Sequence, residues 1–131
     1  YAATEGGVFT SPDAGAHWTA LGLATSRVPS LAIDPLAPGT IYAGTGNGLM
    51  KTANGGGTWS MADSGIPTYS YITALAVNPS VPGTLYAGTP DSGLYRSVNG
   101  GTNWSAPASS LPMGIVPILF SLVFSSMFLP A

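Results

Sequence analysis

The sequence predicts an all-β fold of short antiparallel strands, and two observations support this prediction. The 131 residues include 18 glycines and 12 prolines, so that before residue 110 few stretches lack a helix-breaking residue. Brief apolar runs also alternate with turn-forming clusters, and the alternation recurs, as the spacing of Trp18, Trp59 and Trp104 at 41 and 45 residues indicates. Four short strands in a period of about 40 to 45 residues is the arrangement of a β-propeller blade, so we expect about three such blades.

The strands of one blade are predicted from the points at which the apolar runs end. The first run of blades 2 and 3 ends at an Asp-Pro or Asn-Pro pair, which starts a turn. The second run contains a repeated Tyr-Ala-Gly-Thr and ends in a glycine-rich loop, a third run follows, and a fourth strand begins near the tryptophan. We expect the first three strands of the two blades at residues 31–33, 41–44 and 49–52, and at residues 74–77, 85–88 and 94–97.

The chain divides into two parts. Residues 1–110 hold three blades, the first of which lacks its first strand, and residues 111–131 are an apolar C-terminal segment expected to be a closing or exchanged strand. Residues 116–120 stand in the register of residues 28–32 and 72–76, which supports a strand there. Closed propellers carry about 4 to 8 blades. Three blades therefore leave three alternatives: a ring of two chains, a filament joined by strand exchange between chains, or a fragment of a longer protein.

One eight-residue phrase occurs three times, with Ser or Thr at position 1, Asp or Asn at position 3, glycine at position 5 and tryptophan at position 8. A short side-chain oxygen at position 3 can accept backbone N–H groups further along, and glycine can adopt the positive φ of a tight hairpin. The tryptophan is expected to anchor the turn by burying its ring. The residues are Ser11, Asp13, Gly15 and Trp18; Thr52, Asn54, Gly56 and Trp59; and Ser97, Asn99, Gly101 and Trp104.

The three phrases resemble the Asp-box, or BNR repeat, of sialidases, sortilin-type receptors, xyloglucanases and photosystem-assembly propellers. The resemblance covers nearly the whole chain, because the three copies are one blade length apart. It implies a β-propeller fold and a structural role for the phrase at the periphery of each blade. Asparagine in place of aspartate in the second and third copies agrees with that role, because either residue can accept a turn hydrogen bond.

The charge content excludes one class of function. Three basic and five acidic residues give a net charge of −2, and no two basic residues are close together in the sequence. Binding to nucleic acid needs clustered Lys and Arg that neutralise phosphates, so we expect no nucleic-acid partner. A surface of uncharged polar side chains does not repel another copy of the same molecule, and a homo-oligomer or polymer is therefore expected.

No catalytic residue, metal site or cofactor is predicted. The sialidases that the phrase resembles hold their substrate with three arginines, whereas only Arg27 and Arg96 are present here. Hydrolysis of a glycosidic bond would need two carboxylic acids about 5 to 10 Å apart. Asp63 and Asp91 are the acids best suited to such a pair, but both lie in Asp-Ser-Gly sequences typical of turns. His17, inside the first Asp-box, is expected to be an ordinary residue of the blade edge.

Tyrosines are the remaining candidates for binding. Tyr69 and Tyr71 lie in residues 66–71, a loop that the first repeat lacks, and they could present aromatic faces to a sugar. Glycans are therefore a second class of partner. Tyr42 and Tyr86 occupy equivalent repeat positions and are expected to pack between blades instead.

Residues 115–129 carry no charge. At about 15 residues, interrupted by Pro117, this stretch is shorter than the usual 17 to 25 of a membrane helix, although a membrane or sorting tail and sequence degeneracy stay open as alternatives. A continuous apolar run is typical of a strand buried on both faces. We expect assembly through strand donation or subunit contact by Ile115, Val116, Ile118, Leu119, Phe120, Leu122, Val123 and Phe124.

The expected function is that of a non-catalytic structural or adhesive module that assembles with its own copies, as a ring or a filament, through strand complementation. The sequence begins at Tyr1 without a leader-like segment, which indicates either a removed leader or a fragment. An extracellular or cell-surface location is expected on that basis. The alternative is a fragment of a larger glycoside hydrolase or carbohydrate-binding propeller.

Overall fold

The computed structural model describes residues 1–106, and this part of the chain is all-β. Ten strands form three antiparallel sheets, one for each repeat, and the described residues contain no helix. Accordingly, no helix within them has the length and apolar character needed to cross a membrane. The predicted strand in residues 111–131, with its eight assembly residues, lies outside the described residues.

The three sheets have the predicted blade topology, in which strands consecutive in sequence are neighbours. The first repeat forms blade 1, the second blade 2 and the third blade 3, and in blade 3 a single bridge between Arg96 and Ser105 marks the fourth strand position. The predicted all-β blades are therefore confirmed. The strands are β1 (Ala2–Thr4), β2 (Gly7–Thr10) and β3 (Thr19–Gly22) in blade 1; β4 (Ser30–Ile33), β5 (Ile41–Thr45), β6 (Gly48–Thr52) and β7 (Ser60–Met61) in blade 2; and β8 (Ala74–Val77), β9 (Leu85–Thr89) and β10 (Gly93–Ser97) in blade 3.

A threonine closes the hairpin β5–β6 and its equivalents. Thr45 Oγ1 donates to the Gly48 carbonyl over 2.9 Å and accepts the Asn47 N–H over 3.1 Å. Thr4 in β1–β2 and Thr89 in β9–β10 make the same two bonds across their own turns. The last residue of the repeated Tyr-Ala-Gly-Thr therefore ends the strand and satisfies the turn at the same time.

The hydrophobic core lies between consecutive blades. Val8, Val28 and Ala43 are buried between blades 1 and 2. The space between blades 2 and 3 is filled by a larger cluster: Tyr42, Leu49, Ile66, Ile72, Val77, Leu85, Ala87, Tyr95 and Trp104. The apolar face of one sheet is thus covered by the next sheet, as packed sheet layers require.

The connections between strands lie at two opposite ends of the blades. The β5–β6 and β9–β10 hairpins are at one end, which we call the hairpin end. Residues 62–73 start at that same end, because β7 runs antiparallel to β6. The turns of the three repeated phrases, which we call the Asp-box turns after the motif that they resemble, follow β2, β6 and β10 and lie at the other end, the Asp-box end. The expected ligand residues Tyr69 and Tyr71 therefore lie at the end of the blades opposite the Asp-box turns.

Blades 2 and 3 come very close together at Gly44. A Cβ atom on Gly44 would collide with Ser30 Oγ and would lie 2.5 Å from the Ile72 carbonyl oxygen. Ser30 Oγ donates to that carbonyl over 2.9 Å and so links the innermost strand of blade 2 to blade 3. Only glycine leaves room for this approach, because the obstructing atoms belong to the link itself.

Gly44→Ala is expected to lower the free energy of unfolding by about 1–3 kcal/mol, the range for overpacking a filled site. Gly6→Ala is the matched control, since the nearest atom to a Cβ there is Thr4 Oγ1 at 3.7 Å and Gly6 is exposed. Urea unfolding followed by tryptophan fluorescence measures both changes. Equal losses for the two variants would show that packing at Gly44 is not the reason.

Candidate functional site

Two Asp-box tryptophans join their blade to the blade before it. Trp59 of blade 2 donates its indole N–H to the Leu21 carbonyl of blade 1 over 3.0 Å. Trp104 of blade 3 donates to the Ala62 carbonyl of blade 2 over 2.7 Å, and its side chain is only 5% exposed. A buried indole N–H needs one acceptor, and here the acceptor is the neighbouring blade. The Asp-box tryptophan is therefore a contact between blades as well as a part of its own turn.

Trp18 does not follow this pattern. Its side chain is 49% exposed. The expectation that every Asp-box tryptophan buries its ring is therefore wrong for Trp18. The reason is that these rings pack on the preceding blade, and within residues 1–106 no blade precedes blade 1.

A lysine and a tyrosine make a further contact between blades 2 and 3. Lys51 Nζ and the Tyr42 hydroxyl both donate to the Gly100 carbonyl, over 2.8 and 3.1 Å. Lys51 Nζ also lies 5.4 Å from the centroid of the Tyr42 ring, within the range of a cation–π contact. Burial, with a smaller contribution from the negative charge of Asp34, raises the pKa of Tyr42 to about 12. The hydroxyl therefore keeps its proton and remains a donor at neutral pH.

The three Asp-box turns share one hydrogen-bond scheme, which brings the predicted residues of each phrase together. The hydroxyl at position 1 accepts the N–H of the glycine at position 5, over 2.7 to 3.0 Å. The side-chain Oδ1 at position 3 accepts the position 1 hydroxyl and the N–H at position 7, over 2.8 to 3.0 Å. The position 5 glycines have φ values of 93°, 95° and 85°, in the region that favours glycine.

The side chain at position 3 is matched to the side chain at position 7. In the second and third turns an asparagine Nδ2 donates to an oxygen at position 7, over 3.0 and 3.2 Å. In the first turn Asp13 Oδ2 pairs instead with His17 Nδ1 at 2.5 Å. Hydrogen bonds from the His17 side chain, and next from its backbone N–H, lower the pKa of Asp13. His17 is thus the partner of Asp13 at the exposed blade edge.

A cavity of about 350 Å³ lies between blades 2 and 3, beside the Lys51 contact. Lys51 and Asp63 supply its charged groups, and Gly100, Gly101 and Thr102 of the third Asp-box form part of its wall. Positions 4 to 6 of the third Asp-box therefore face the third and fourth strands of the preceding blade across this space.

Tyr69 and Tyr71 lie together at the hairpin end. A cleft of about 160 Å³ is lined by residues 67–71 and by Asp91 of the β9–β10 hairpin. Tyr69 is 79% exposed and has a φ of 62°, which is uncommon for an aromatic residue. The Arg27 guanidinium carbon lies 6.0 Å from the centroid of the Tyr71 ring. Two tyrosines, a carboxylate and a cation are therefore neighbours on this surface.

The structure does not bring the acid pair considered above into one site. Asp63 lines the cavity between blades 2 and 3, whereas Asp91 lines the cleft beside Tyr69. Glu5 pairs with Arg27, with 3.4 Å between Oε1 and Nε, and both side chains are exposed. Among residues 1–106 no group of three His, Asp or Glu side chains is placed to hold a metal ion.

Solved structures identify the architecture. An ancestral GH74 enzyme superposes on 82% of this chain with a TM-score of 0.67 and 20% identity. The GH74 enzyme of Niastella koreensis superposes on 82% with a TM-score of 0.64 and 27% identity, and YCF48 bound to a D1 peptide superposes on 79% with a TM-score of 0.59 and 19% identity. These proteins are β-propellers. The chain is a set of propeller blades.

The blades span 16%, 18% and 35% of those three structures, respectively. The chain therefore corresponds to a part of each propeller. No protein-family model matches the sequence, and no curated protein matches it.

Sequence reasoning missed the partner of the tryptophan and the role of Lys51. A signal for Lys51 was present, because Arg96 stands at the equivalent position of the third strand in blade 3. A basic side chain beside the repeated tyrosine thus recurs in two of the three repeats. The partner of the indole N–H had no such signal, since a residue pattern within one turn does not reveal the neighbouring blade.

Trp59→Phe is expected to lower the free energy of unfolding by about 1–3 kcal/mol, because it leaves the Leu21 carbonyl without its donor. Trp18→Phe should change it little, since that indole is half exposed. Urea unfolding followed by far-UV circular dichroism, at a concentration too low for association, compares the two variants. A similar loss in both would mean that the contact between blades is not what Trp59 contributes.

Proposed function

We propose that this chain is a non-catalytic propeller module that assembles with copies of itself, the C-terminal segment of one copy completing blade 1 of the next. The observation that carries the proposal is Trp18. Its indole is 49% exposed, whereas the equivalent indoles of blades 2 and 3 bind a carbonyl of the preceding blade. The last blade of a second copy would give Trp18 the same kind of surface.

The open edge of blade 1 supports the proposal. In blades 2 and 3 an inner strand, β4 or β8, pairs with the strand that follows it. In blade 1 the equivalent second strand is β1, and among the described residues it pairs with β2 alone. An edge strand of this kind presents free backbone N–H and C=O groups, which bind an added strand.

The sequence register supports residues 118–121 as that added strand. They follow Ala74–Val77 by 44 residues, just as Ala74–Val77 follows Ser30–Ile33 by 44. Pro117 then takes the place of Pro29, directly before the strand, where proline is tolerated. Ile118, Leu119 and Phe120 are apolar, which suits a strand that is covered on both faces.

Completion of blade 1 by another copy is a heterologous contact, because one end of the chain binds the opposite end of the next copy. Such contacts close into a ring when the rotation allows it and otherwise continue as a filament. Two chains would supply about six blades, within the range of closed propellers. The low charge of the surface also favours contact between copies, since only 6% of the residues are charged.

The full chain at micromolar concentration is expected to have a mass of at least two chains by light scattering, with rings or filaments in negative-stain electron microscopy. The double variant L119D/F120D should be monomeric, because a strand covered on both faces cannot bury two carboxylates. S125D/S126D adds the same charge outside the predicted strand and should assemble normally. A monomeric full chain at every concentration, or normal assembly of L119D/F120D, would contradict the proposal.

A second candidate function is sugar binding by a part of a larger glycoside hydrolase propeller. Two observations favour it: the 27% identity with the GH74 enzyme of Niastella koreensis, and the exposed Tyr69 with its left-handed backbone. Uncommon backbone conformations concentrate at binding sites. The ring of Tyr69, with Tyr71 and Asp91 beside it, offers an apolar face and a hydrogen-bond acceptor to a sugar.

If the second candidate function, sugar binding, is correct, a xyloglucan oligosaccharide titrated against the full chain should shift the NMR resonances of residues 67–71. Tyr69→Ala should weaken binding by at least about 10-fold, as loss of an aromatic anchor does. Tyr1→Ala is the control, because Tyr1 is also exposed but lies in blade 1, away from this loop. An absence of binding at about 10 mM oligosaccharide, weaker than any useful affinity, would exclude this function and leave the first unaffected.

A further inference from the structure

We infer that the face of blade 3 that carries Arg96 binds the first Asp-box turn of a second copy, with the Arg96 guanidinium donating to the Ala14 carbonyl beside the Asp13 carboxylate. This inference rests on the proposed function, because it names the side chains that join consecutive copies. It concerns the contact between blade faces rather than the added strand.

The contact between blades 2 and 3 is the template. Tyr42 and Lys51 are cross-strand partners on β5 and β6, and both donate to the Gly100 carbonyl of the next blade. Gly100 occupies position 4 of its Asp-box and has a φ of 69°, and its carbonyl faces blade 2, where it accepts both hydrogen bonds. One half-buried turn carbonyl is thus bound by a basic side chain of the preceding blade.

Blade 3 repeats the donor side of this template. Tyr86 and Arg96 are cross-strand partners on β9 and β10, in the register of Tyr42 and Lys51. The Arg96 side chain is exposed, and within residues 1–106 its guanidinium has no ion-pair partner. Blade 1 does not repeat the donor side, because its third-strand residue at this register is Thr10, which is uncharged and short.

Blade 1 repeats the acceptor side. Ala14 occupies position 4 of the first Asp-box and has a φ of 58°, close to the 69° of Gly55 and Gly100. The left-handed conformation is unfavourable for alanine, yet it is retained here. The first and third turns also share the bond from the position 5 N–H to the position 1 hydroxyl, so we expect the Ala14 carbonyl to point as the Gly100 carbonyl does. Ala14 and Trp18 are both exposed, so the carbonyl and the indole of this turn are accessible together.

Charge favours this pairing over others. The first Asp-box has an aspartate at position 3, whereas the second and third have Asn54 and Asn99. An arginine has five N–H donors in a planar fork, so Arg96 can bind the Ala14 carbonyl and a carboxylate oxygen of Asp13 at once. A carboxylate has lone pairs left after its bonds to Ser11 and His17. Unlike charges at the matching positions also select the correct partner turn.

The occupant of the Arg96 face is a second copy rather than blade 1 of the same chain. Closed propellers carry about 4 to 8 blades, and the three blades that residues 1–106 form do not span the circle. If the contact between copies repeats the contact between blades 2 and 3, Trp18 lies against the outer part of blade 3 in the neighbouring copy, as Trp104 lies against blade 2.

A charge exchange tests the inference on the full chain. Arg96→Glu reverses the charge on the donor face. Ala16→Lys introduces a cation at position 6 of the first turn, the equivalent of Thr102, which lines the cavity beside Lys51. Both positions are exposed, so folding should be preserved, and thermal unfolding checks this. Sedimentation velocity over a concentration series measures self-association of each variant and of their equimolar mixture.

Each variant alone is expected to raise the dissociation constant of self-association at least about 10-fold, because like charges then face each other. The carboxylate introduced at position 96 would face Asp13, and the ammonium introduced at position 16 would face Arg96. The mixture should recover to within about 3-fold of the unmodified chain, since the carboxylate introduced at position 96 of one variant meets the ammonium introduced at position 16 of the other. Arg96→Lys keeps the positive charge and places at position 96 the same residue type as Lys51, so this variant should retain association. Asn47→Lys, a charge change in the exposed β5–β6 turn of blade 2, is the control and should have no effect.

Three results would overturn the inference in different ways. If the unmodified chain assembles and the Arg96→Glu and Ala16→Lys variants assemble equally well, this contact is wrong while the proposed function stands. If the unmodified chain is monomeric at all concentrations, the proposed function fails and the contact fails with it. If both variants weaken self-association and their mixture does not recover it, a direct pairing of positions 96 and 16 is also contradicted.

Discussion

The hydrogen bond from an Asp-box tryptophan to the preceding blade is the interaction on which the architecture depends. A sheet of three or four short strands cannot bury its own faces, so each blade is stable only against a neighbour. Trp59 and Trp104 supply a large apolar ring and a directional N–H donor at that contact. The turn network of positions 1, 3, 5 and 7 holds the hairpin from which the ring projects. The repeated phrase is therefore framework, and its local hydrogen bonds serve a contact that lies outside the turn.

The contact of blades 1 and 2 and the contact of blades 2 and 3 share their hydrogen bonds at the innermost strands and at the outer edge. They differ in the region between these two places. Near the innermost strands, a backbone N–H at the start of one blade donates to a threonine backbone carbonyl at the end of the second strand of the preceding blade. The Val28 N–H donates to the Thr4 carbonyl and the Ile72 N–H donates to the Thr45 carbonyl, each over 3.0 Å. At the outer edge both contacts have the indole bond. Lys51, Tyr42 and the close approach at Gly44 belong to the contact of blades 2 and 3. That contact therefore has more specific donors than the contact of blades 1 and 2.

The sequence predicted the hairpins well because turn chemistry is local. The strand expected at 74–77 is β8, and the strands expected at 41–44 and 49–52 differ from β5 and β6 by one residue at one end. The fourth strands were less predictable. β7 has two residues and its counterpart in blade 3 is a single bridge, because few backbone bonds hold the outer edge.

What the sequence could not reveal was tertiary in origin. The exposure of Trp18 depends on which blade lies beside it, and the pairing of Lys51 with the Gly100 carbonyl joins residues 49 apart. The separation of Asp63 from Asp91 likewise follows from how the blades stack, which no turn motif specifies. Tyr69 and Tyr71 lie together because they share one loop, whereas the nearby Arg27 comes from another segment, which the loop sequence does not reveal.

The scarcity of charge at the blade contacts has a consequence for the response to dissolved salt. The ion pairs of residues 1–106, His17 with Asp13 and Arg27 with Glu5, are both exposed. Screening by mobile ions weakens exposed pairs of this kind, which contribute little to stability in any case. The contacts between blades rely on carbonyl acceptors and buried apolar rings, and excluded salts such as sulfate strengthen apolar burial. Ionic strength is therefore a variable to which the stacked blades respond weakly, and in concentrated sulfate their folded state gains stability.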